Sequence, residues 1–367
     1  MAWRYLAQQA LTNELLDLEL PLTREELRWD LSGPGALRGT IPEEYTRLNY
    51  SNGLPVFGKS REGEWSTYLY AEESGRIRWG GILQRSRYGG AGLWSLEAAG
   101  FTSYPTGMPY SGGYYKRVAY DPTLIFSAIW THLQTQPDGN LGVTIAGAGT
   151  PVKIGTAAEP YELAWWENTD CGGELGQLAL ETPFDFTEEH AWSGASTITH
   201  TVRIGYPRTG RRRDDLVFDP TNTLDAVELE RDGSPGAFAQ NAYVIGKGEG
   251  AATIRGFDGV RDGRLRRVTT YTDKLAGTAA RANSLARRER LTKTLEPALA
   301  SITVQDHPQA PIGSWQCGDD ILTEVTVPHL GKVSIWHRVT SWQLLTDTTA
   351  QLSLARSNTF HYGSIAS

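Results

Sequence analysis

Cysteine is scarce in this 367-residue sequence: Cys171 and Cys317 are the only two. Two cysteines exclude a disulfide framework and a four-cysteine metal cage. They are expected as buried or idle thiols in a reducing cytoplasm. No apolar run approaches the roughly 20 residues of a membrane-crossing helix. No basic segment followed by an apolar core opens the chain, so no secretory signal is expected. Charge of one sign is also lacking: 35 Lys and Arg against 42 Asp and Glu give a net charge of −7. A dedicated nucleic-acid binder carries a strongly basic domain, and this chain does not. A mildly acidic lumen through which nucleic acid merely passes remains compatible with that balance.

Catalytic signatures are missing as well. His132, His190, His200, His307, His329, His337 and His361 share no HxxxH or HExxH spacing, so no zinc site is expected. The pairs Glu188-Glu189, Asp214-Asp215 and Asp319-Asp320 are adjacent, and neighbours on a strand point to opposite faces, which does not make a glycosidase pair. No serine sits in a GxSxG elbow. Cys171, followed by Gly172-Gly173, fits a helix start. The segment FAQNAYVIGKGEG (Phe238 to Gly250) superficially suggests a phosphate cradle. It lacks the P-loop spacing, and a strand rather than a helix N-terminus is expected after it, over Ala251 to Phe257. The sequence therefore assigns no catalytic, cofactor-binding or metal-ligating residue, and an enzyme is not expected.

What is present is β chemistry. Gly 40 and Pro 18 supply turns, and Trp 12 and Tyr 16 suit half-buried pleated surfaces. A hydrophobic fraction of 40% and a charged fraction of 21% describe a folded chain, long enough for two to four domains. Ala, Gln and Leu leave a helix open over residues 1 to 20, but Trp3, Tyr5 and Ala7 alternate, Thr12-Asn13 turns, and Leu16, Leu18 and Leu20 alternate again, which favours a hairpin ended by Pro21. Leu27 to Pro42 reads strand, turn, strand. Arg47 to Gly63 reads as loop. Glu64 to Glu72 and Arg76 to Arg85 predict a hairpin across Glu73-Ser74-Gly75, and Leu93 to Ala99 adds a strand. The most regular stretch is Ser301 to Ser357. Ile302 and Val304 alternate, then Ile321 to Val327, then Val333, Ile335, His337, Val339 and Ser341 on one face with Trp336, Arg338, Thr340 and Trp342 on the other, and finally Leu352 and Leu354. Period-two runs separated by turns predict antiparallel sheet.

Helices are few. Asp121 is an N-cap with Pro122 at the first helical position, and Leu124, Ile125, Ala128, Ile129, Trp130 and Leu133 make a stripe that ends at Pro137-Asp138-Gly139. Asp170 to Leu180 predicts a second helix with Leu175, Leu178 and Ala179 inward; Trp165-Trp166 before it are expected in a core or an interface. Gly277 to Thr294 predicts a third, with Ala279, Ala282, Leu285, Ala286 and Glu289 on one side and a basic face that defaults to solvent. Phe184 to Trp192 and Thr197 to Gly205 read as a strand pair, and Leu265 to Thr272 as a strand. Gly100 to Gly113 is an aromatic loop expected as a contact surface, with sugar stacking as the alternative through Phe101, Tyr104, Tyr110, Tyr114 and Tyr115. YPRTGRRRDD (Tyr206 to Asp215) is expected as a solvated turn with local ion pairing.

Several stretches taken together resemble the minor tail proteins of long-tailed, siphovirus-type actinobacterial phages, specifically the baseplate or tail-tip hub group. They are SGPGALRGTIP, RWGGIL followed by LWSLEAAGFTSYPTGMPY, the helix from Asp121, YELAWWENTDCGGELGQLALETPFDF, VRIGYPRTGRRRDDL, and IGSWQCGDDILTEVTVPHLGKVSIWHRVTSWQL. The resemblance runs nearly the whole chain and is carried by the order and spacing of many segments. It implies a mainly β fold with α/β insertions (α+β): a multi-domain tail hub with two tube-like antiparallel β-barrel domains. Residues 1-118 would form the first tube-like domain, 119-206 a mixed α/β domain, and 207-367 the second tube-like domain with a bracing helix at 277-294. Strands around Tyr243 and Val268 would complete that last domain, and Trp336, His337 and Trp342 would be core and ring-interface residues. The implied role is a ring-forming homotrimer without enzymatic activity in the virion tail tip, assembled in the host cytoplasm. It would join the distal tail protein to the tip, bind the C-terminus of the tape measure protein and other minor tail proteins or a central fibre, and let genomic DNA pass, with no stable membrane insertion. A carbohydrate-binding or cell-wall-cleaving receptor-recognition protein is the alternative. The chain ends soon after its last expected strand, and no cell-wall-cleaving extension is expected.

Overall fold

Strand dominates the chain, and only three α-helices of more than two turns interrupt it among the described residues. The structure is a computed structural model and describes residues 3–45, 63–89, 92–147, 149–182, 184–194, 196–224, 229–273, 276–328 and 331–359. The expected loop Arg47 to Gly63, and His329 and His361, fall outside these residues, Gly63 itself excepted. The chain divides into two compact units, each assembled from segments distant in sequence. Unit 1 is Met1–Arg211, Thr303–Asp319 and Val339–Leu352; unit 2 is Arg212–Ile302, Asp320–Arg338 and Ser353–Ser367.

Unit 1 opens with β1 (Trp3–Gln9), β2 (Leu15–Asp17), β3 (Thr23–Asp30), β4 (Ala36–Pro42), β5 (Thr67–Glu73), β6 (Arg76–Tyr88) and β7 (Leu93–Gly100). They form one antiparallel sheet in the order β3-β4-β7-β6-β5-β1-β2. The expected hairpins are present. Ser74 and Gly75, between β5 and β6, both take positive φ (50° and 81°), the two-residue turn whose twist matches a β-hairpin. Every residue of β5 is buried, so the sheet is covered on both faces there. Later come β8 (Tyr115–Arg117), α1 (Pro122–Gln134), β9 (Val143–Gly147), β10 (Tyr161–Leu163), α2 (Cys171–Glu181), β11 (Asp185–Trp192) and β12 (Ile198–Gly205).

Both helices start where side-chain oxygens satisfy orphan amides. Asp121 accepts from the Thr123 N–H at 2.9 Å and its hydroxyl at 2.8 Å; Asp170 accepts from the Gly173 N–H at 2.9 Å. Ile125, Phe126, Ile129, Trp130 and Leu133 of α1 are buried, whereas Leu124, expected in that stripe, is exposed. They share one core with Leu175 and Leu178 of α2, Phe186, Val202 and Ile204 of β11 and β12, and Leu6, Tyr68, Tyr70 and Ile82 of the first sheet. β11 and β12 are antiparallel, as expected, but β12 runs parallel to β9. Alternation encodes which face is buried and not which way the neighbour runs. A parallel pair needs a crossover, here the segment carrying α2 and β11.

The end of the chain returns to unit 1. Ser341, Trp342 and Gln343 pair antiparallel with Asp30, Trp29 and Arg28. Trp342 stacks on Trp29 with ring centroids 3.9 Å apart and planes 8° off parallel, and Trp315 meets Trp342 edge-on at 6.0 Å. The Trp29 indole N–H donates to the Arg78 carbonyl at 2.8 Å.

Unit 2 begins with β13 (Arg212–Phe218), then β14 (Asn241–Ile245), β15 (Arg255–Gly259), β16 (Val268–Thr272) and α3 (Ala279–Thr292). After these come β17 (Ser301–Gln305), β18 (Asp320–Val327), β19 (Gly331–Thr346) and β20 (Thr349–Arg356), the last three strands and β17 being shared between the units or lying at their boundaries. β13 is parallel to β18, β18 is antiparallel to the first half of β19, and β17 pairs with β20. The run expected as a turn at Arg212-Arg213 is therefore the start of a strand. Within β19 Ile335, His337 and Val339 are buried, Arg338 between them is buried as well, and further on Trp342 and Leu344 are inside. The single odd-numbered face read from the sequence holds only as far as Val339.

β14 and β16, the strands around Tyr243 and Val268 expected to complete the last domain, do not pair with β17 to β20. They make their own three-stranded sheet, β15-β14-β16, with β16 parallel to β14. β15 starts later than the strand expected over Ala251 to Phe257: Gly250–Ala252 is a 3-10 turn and the strand begins at Arg255. α3 covers one face with Ala282, Leu285 and Ala286 against Ala242 and Val244. Gly256 allows this approach, because a Cβ there would lie 2.1 Å from the Ala282 carbonyl oxygen. The basic side of α3 is partly held by this sheet: Arg290 pairs with Asp258, and the Arg288 guanidinium lies over Tyr271. No sheet among the described residues closes into a barrel.

Trp342→Ala removes both aromatic contacts and leaves a void in a packed site. It is expected to lower unfolding free energy by about 3–5 kcal/mol, measured by urea denaturation followed by tryptophan fluorescence.

Candidate interaction surfaces

The histidines that came closest to a site lie in two buried networks. In unit 1, β11–β12 register sets His190 opposite His200. Their Nδ1 atoms are 3.3 Å apart, and His200 Nε2 lies 3.4 Å from the Tyr70 hydroxyl, which donates to Gln8 Oε1 at 2.7 Å. His200 also stacks on Phe101 at 4.3 Å. Glu188 accepts from the Phe101 and Thr102 N–H groups at 2.9 and 2.8 Å and lies 3.5 Å from His190 Nε2. Burial, and then the neighbouring His190, hold His200 down to about 3. The cluster consumes its polar atoms in packing two layers together. Its one sequence signal was the expected strand pair itself: laying Phe184 to Trp192 against Thr197 to Gly205 brings the two imidazoles side by side.

In unit 2 His337 is fully buried. The Leu299 N–H donates to its Nε2 at 3.0 Å, its Nδ1 lies 2.9 Å from Thr323 Oγ1, and that hydroxyl donates to the Ile335 carbonyl at 3.1 Å. An N–H aimed at Nε2 requires the neutral ring. Burial drives its pKa down to about 4. His337 is thus a core residue. Its neighbour Trp336 lies under the Arg212 guanidinium at 3.7 Å, and Trp342 is in the aromatic stack described above. The cysteines are both buried and free; burial raises Cys171 to about 11 and Cys317 further still, which leaves neither as a thiolate at neutral pH. No group of three or more His, Cys, Asp or Glu among the described residues is arranged to hold a metal ion.

The aromatic loop exposes Thr106, Gly107, Pro109, Ser111 and Gly113, but most of its rings turn inward. Phe101 and Tyr110 are core residues, Tyr104 and Tyr115 are half-buried, and only Tyr114 is well exposed. The Trp165-Trp166 pair, expected in a core or an interface, is not in the core: the side chains are 63% and 58% exposed on a 3-10 turn. That turn is fixed by Asn168 in the left-handed region (φ 52°) and by the Tyr110 N–H donating to the Thr169 carbonyl at 2.8 Å. Tyr114 stacks beside Trp166 at 5.7 Å, and Lys116, ion-paired to Glu162 at 3.1 Å, lies near the Tyr114 ring. Exposed aromatics grouped this way mark contact surfaces. Sequence reasoning could not separate core from surface here, because a Trp pair before a helix is equally at home in both.

The arginine run behaves as local ion pairs. Arg212 Nε is 3.0 Å from Asp214, and Arg213, nearly buried, is 2.7 Å from Asp215. Alternation on β13 places each arginine on the face of the aspartate two positions on.

No family model matches the sequence, and no curated protein matches it. Solved structures do. The 43 kDa tail protein of prophage MuSo2 from Shewanella oneidensis superposes with a TM-score of 0.63 at 11% identity, over 98% of this chain and 99% of that one. The tail protein from Neisseria meningitidis MC58 gives 0.59 at 12% identity, over 96% and 97%. Prophage tail protein gp18 from Listeria monocytogenes gives 0.54 at 11% identity, over 96% and 95%. The chain therefore has the fold of phage tail proteins from end to end.

Both buried histidines protonate near pH 6.5 when unfolded and only near 4 and 3 when folded. The unfolded chain takes up protons first as pH falls. Stability present above pH 6.5 is lost toward pH 4, on the order of 2 kcal/mol per histidine by pH 4.5. Urea midpoints measured from pH 7.5 to 4.5 should show this fall. His337→Gln should lower the midpoint at pH 7.5 and flatten the acid limb.

Proposed function

We propose that this chain is a non-enzymatic structural hub of a phage tail tip, in the virion of a long-tailed phage of actinobacteria. The observation that carries this reading is the likeness of nearly the whole chain to three prophage tail proteins, at matched length on both sides. Residues 1-118 and 207-367 act as two tube-like β-domains around the mixed 119-206 region, so that three chains form a ring of six similar elements. The ring joins the distal tail protein to the tip, receives the tape measure C-terminus and other minor tail proteins or a central fibre, and lets DNA through.

Charge supports association in a ring. Unit 2 holds 18 Lys and Arg against 15 Asp and Glu, a net +3, and unit 1 holds 17 against 27, a net −10. Units of opposite sign favour head-to-tail contact between copies, the kind of interface that closes rings. The inertness of both thiols and the structural use of His190, His200 and His337 fit a role without chemistry. The sugar-stacking alternative loses two of its five rings, Phe101 and Tyr110, to the core.

Cryo-electron microscopy of tails carrying a tagged copy is expected to show three copies in a ring at the tip, below the tube. A chain found only as a monomer and absent from purified virions would sink this reading.

A further inference from the structure

The three-stranded sheet β15-β14-β16 carries α3 on one face, and the side chains of its other face are largely exposed. Pleating turns Tyr243, Ile245, Arg255, Phe257 and Val268 outward, and Phe257, Val268 and Ile245 are 48%, 46% and 37% exposed. The sheet sorts its charges. Its acids face the helix side, where Asp258 pairs with Arg290 and Asp273 lies 3.7 Å from Arg281. On the open side the Arg255 guanidinium lies over Tyr243 at 4.1 Å, and Arg266 donates to the Tyr243 hydroxyl at 3.0 Å. Neither arginine reaches a carboxylate among the described residues. The result is a basic face with an apolar centre, in a chain whose net charge is −7.

A complementary feature exists in the same chain. The β1–β2 hairpin and its exit, Leu11 to Glu19, read LTNELLDLE: three acids, no base, with Leu11 and Leu18 exposed by 53% and 45%. Glu14 and Glu19 are exposed and meet no basic side chain among the described residues. We propose that the open face of β15-β14-β16 docks the acidic Leu11–Glu19 hairpin of a second copy. Arg255 and Arg266 meet Glu14 and Glu19, and Leu18 packs on Phe257 and Val268. The inference rests on the ring-forming reading above and names one of its interfaces. Single-stranded nucleic acid suits this face less well, since base stacking needs free aromatic faces and Tyr243 is capped by Arg255 and flanked by Phe257 at 5.0 Å.

The test is sedimentation equilibrium of the full chain at about 50 and 500 mM salt, with circular dichroism to check folding; all four substituted residues are solvent-facing. Wild type is expected to self-associate more weakly at high salt. Arg255→Glu with Arg266→Glu should weaken association at least about tenfold, Glu14→Arg with Glu19→Arg should do the same, and mixing the two variants should restore it. Association unchanged in the arginine variant overturns this interface and leaves the ring reading standing. Loss in both variants without restoration on mixing rejects the hairpin as the occupant. A wild type that stays monomeric at every concentration overturns this interface, and overturns the ring reading as well if the chain is also absent from purified virions. Binding of a 20-nucleotide oligo-dT by wild type but not by the arginine variant, without self-association, would assign the face to nucleic acid instead.

Discussion

The contact on which unit 1 most depends is the face-to-face stack of Trp342 on Trp29, closed from the side by Trp315. It joins a strand near the start of the chain to one near its end, so both must be present before the Trp342 indole is buried. Contacts this distant in sequence must repay a loop-closure entropy that grows slowly with length, and large aromatic surfaces repay it well. The Cys317 thiol, 3.4 Å from the Trp29 carbonyl, sits in the same packing. Each unit being built from separated segments is the same constraint seen at larger scale.

The polar interior holds this architecture together. Glu188 ties the turn at Phe101 to β11, His200 bridges that strand pair to Tyr70, and His337 joins Leu299 to Thr323. Each fills otherwise unsatisfied backbone or hydroxyl groups in places where water is excluded, which is why both low-pKa rings are held neutral. Two exposed surfaces stand out among the described residues: an aromatic cluster at Tyr114, Trp165 and Trp166, and a basic-apolar sheet face around Phe257.

Much of the fold was legible. Alternation located the hairpins at β1–β2 and β5–β6, Asp121-Pro122 and Asp170 located two helix starts, and the Ala and Leu spacing located α3. Strand direction was not legible, since β9–β12, β13–β18 and β14–β16 are parallel and the same residues alternate either way. Nor was the layer to which a strand belongs: Tyr243 and Val268 read as ordinary strand residues, and only their pairing with β15 under α3 puts them in a sheet of their own. The ion pairing of Arg212 and Arg213 was legible from adjacent aspartates, but their strand was not, because charged residues on both faces hide a period of two.

By itself, the sequence determined a mainly β chain with three helices, idle thiols and no catalytic signature, because each of these follows from local pattern or residue type. The tertiary structure decided which aromatic residues are core and which are surface. Phe101 and Tyr110 went inside while Trp165 and Trp166 stayed out, since burial depends on what packs opposite a side chain and no local pattern records it. It also decided where the charges meet partners, leaving the face of Arg255 and Phe257 open while Asp258 turns toward α3.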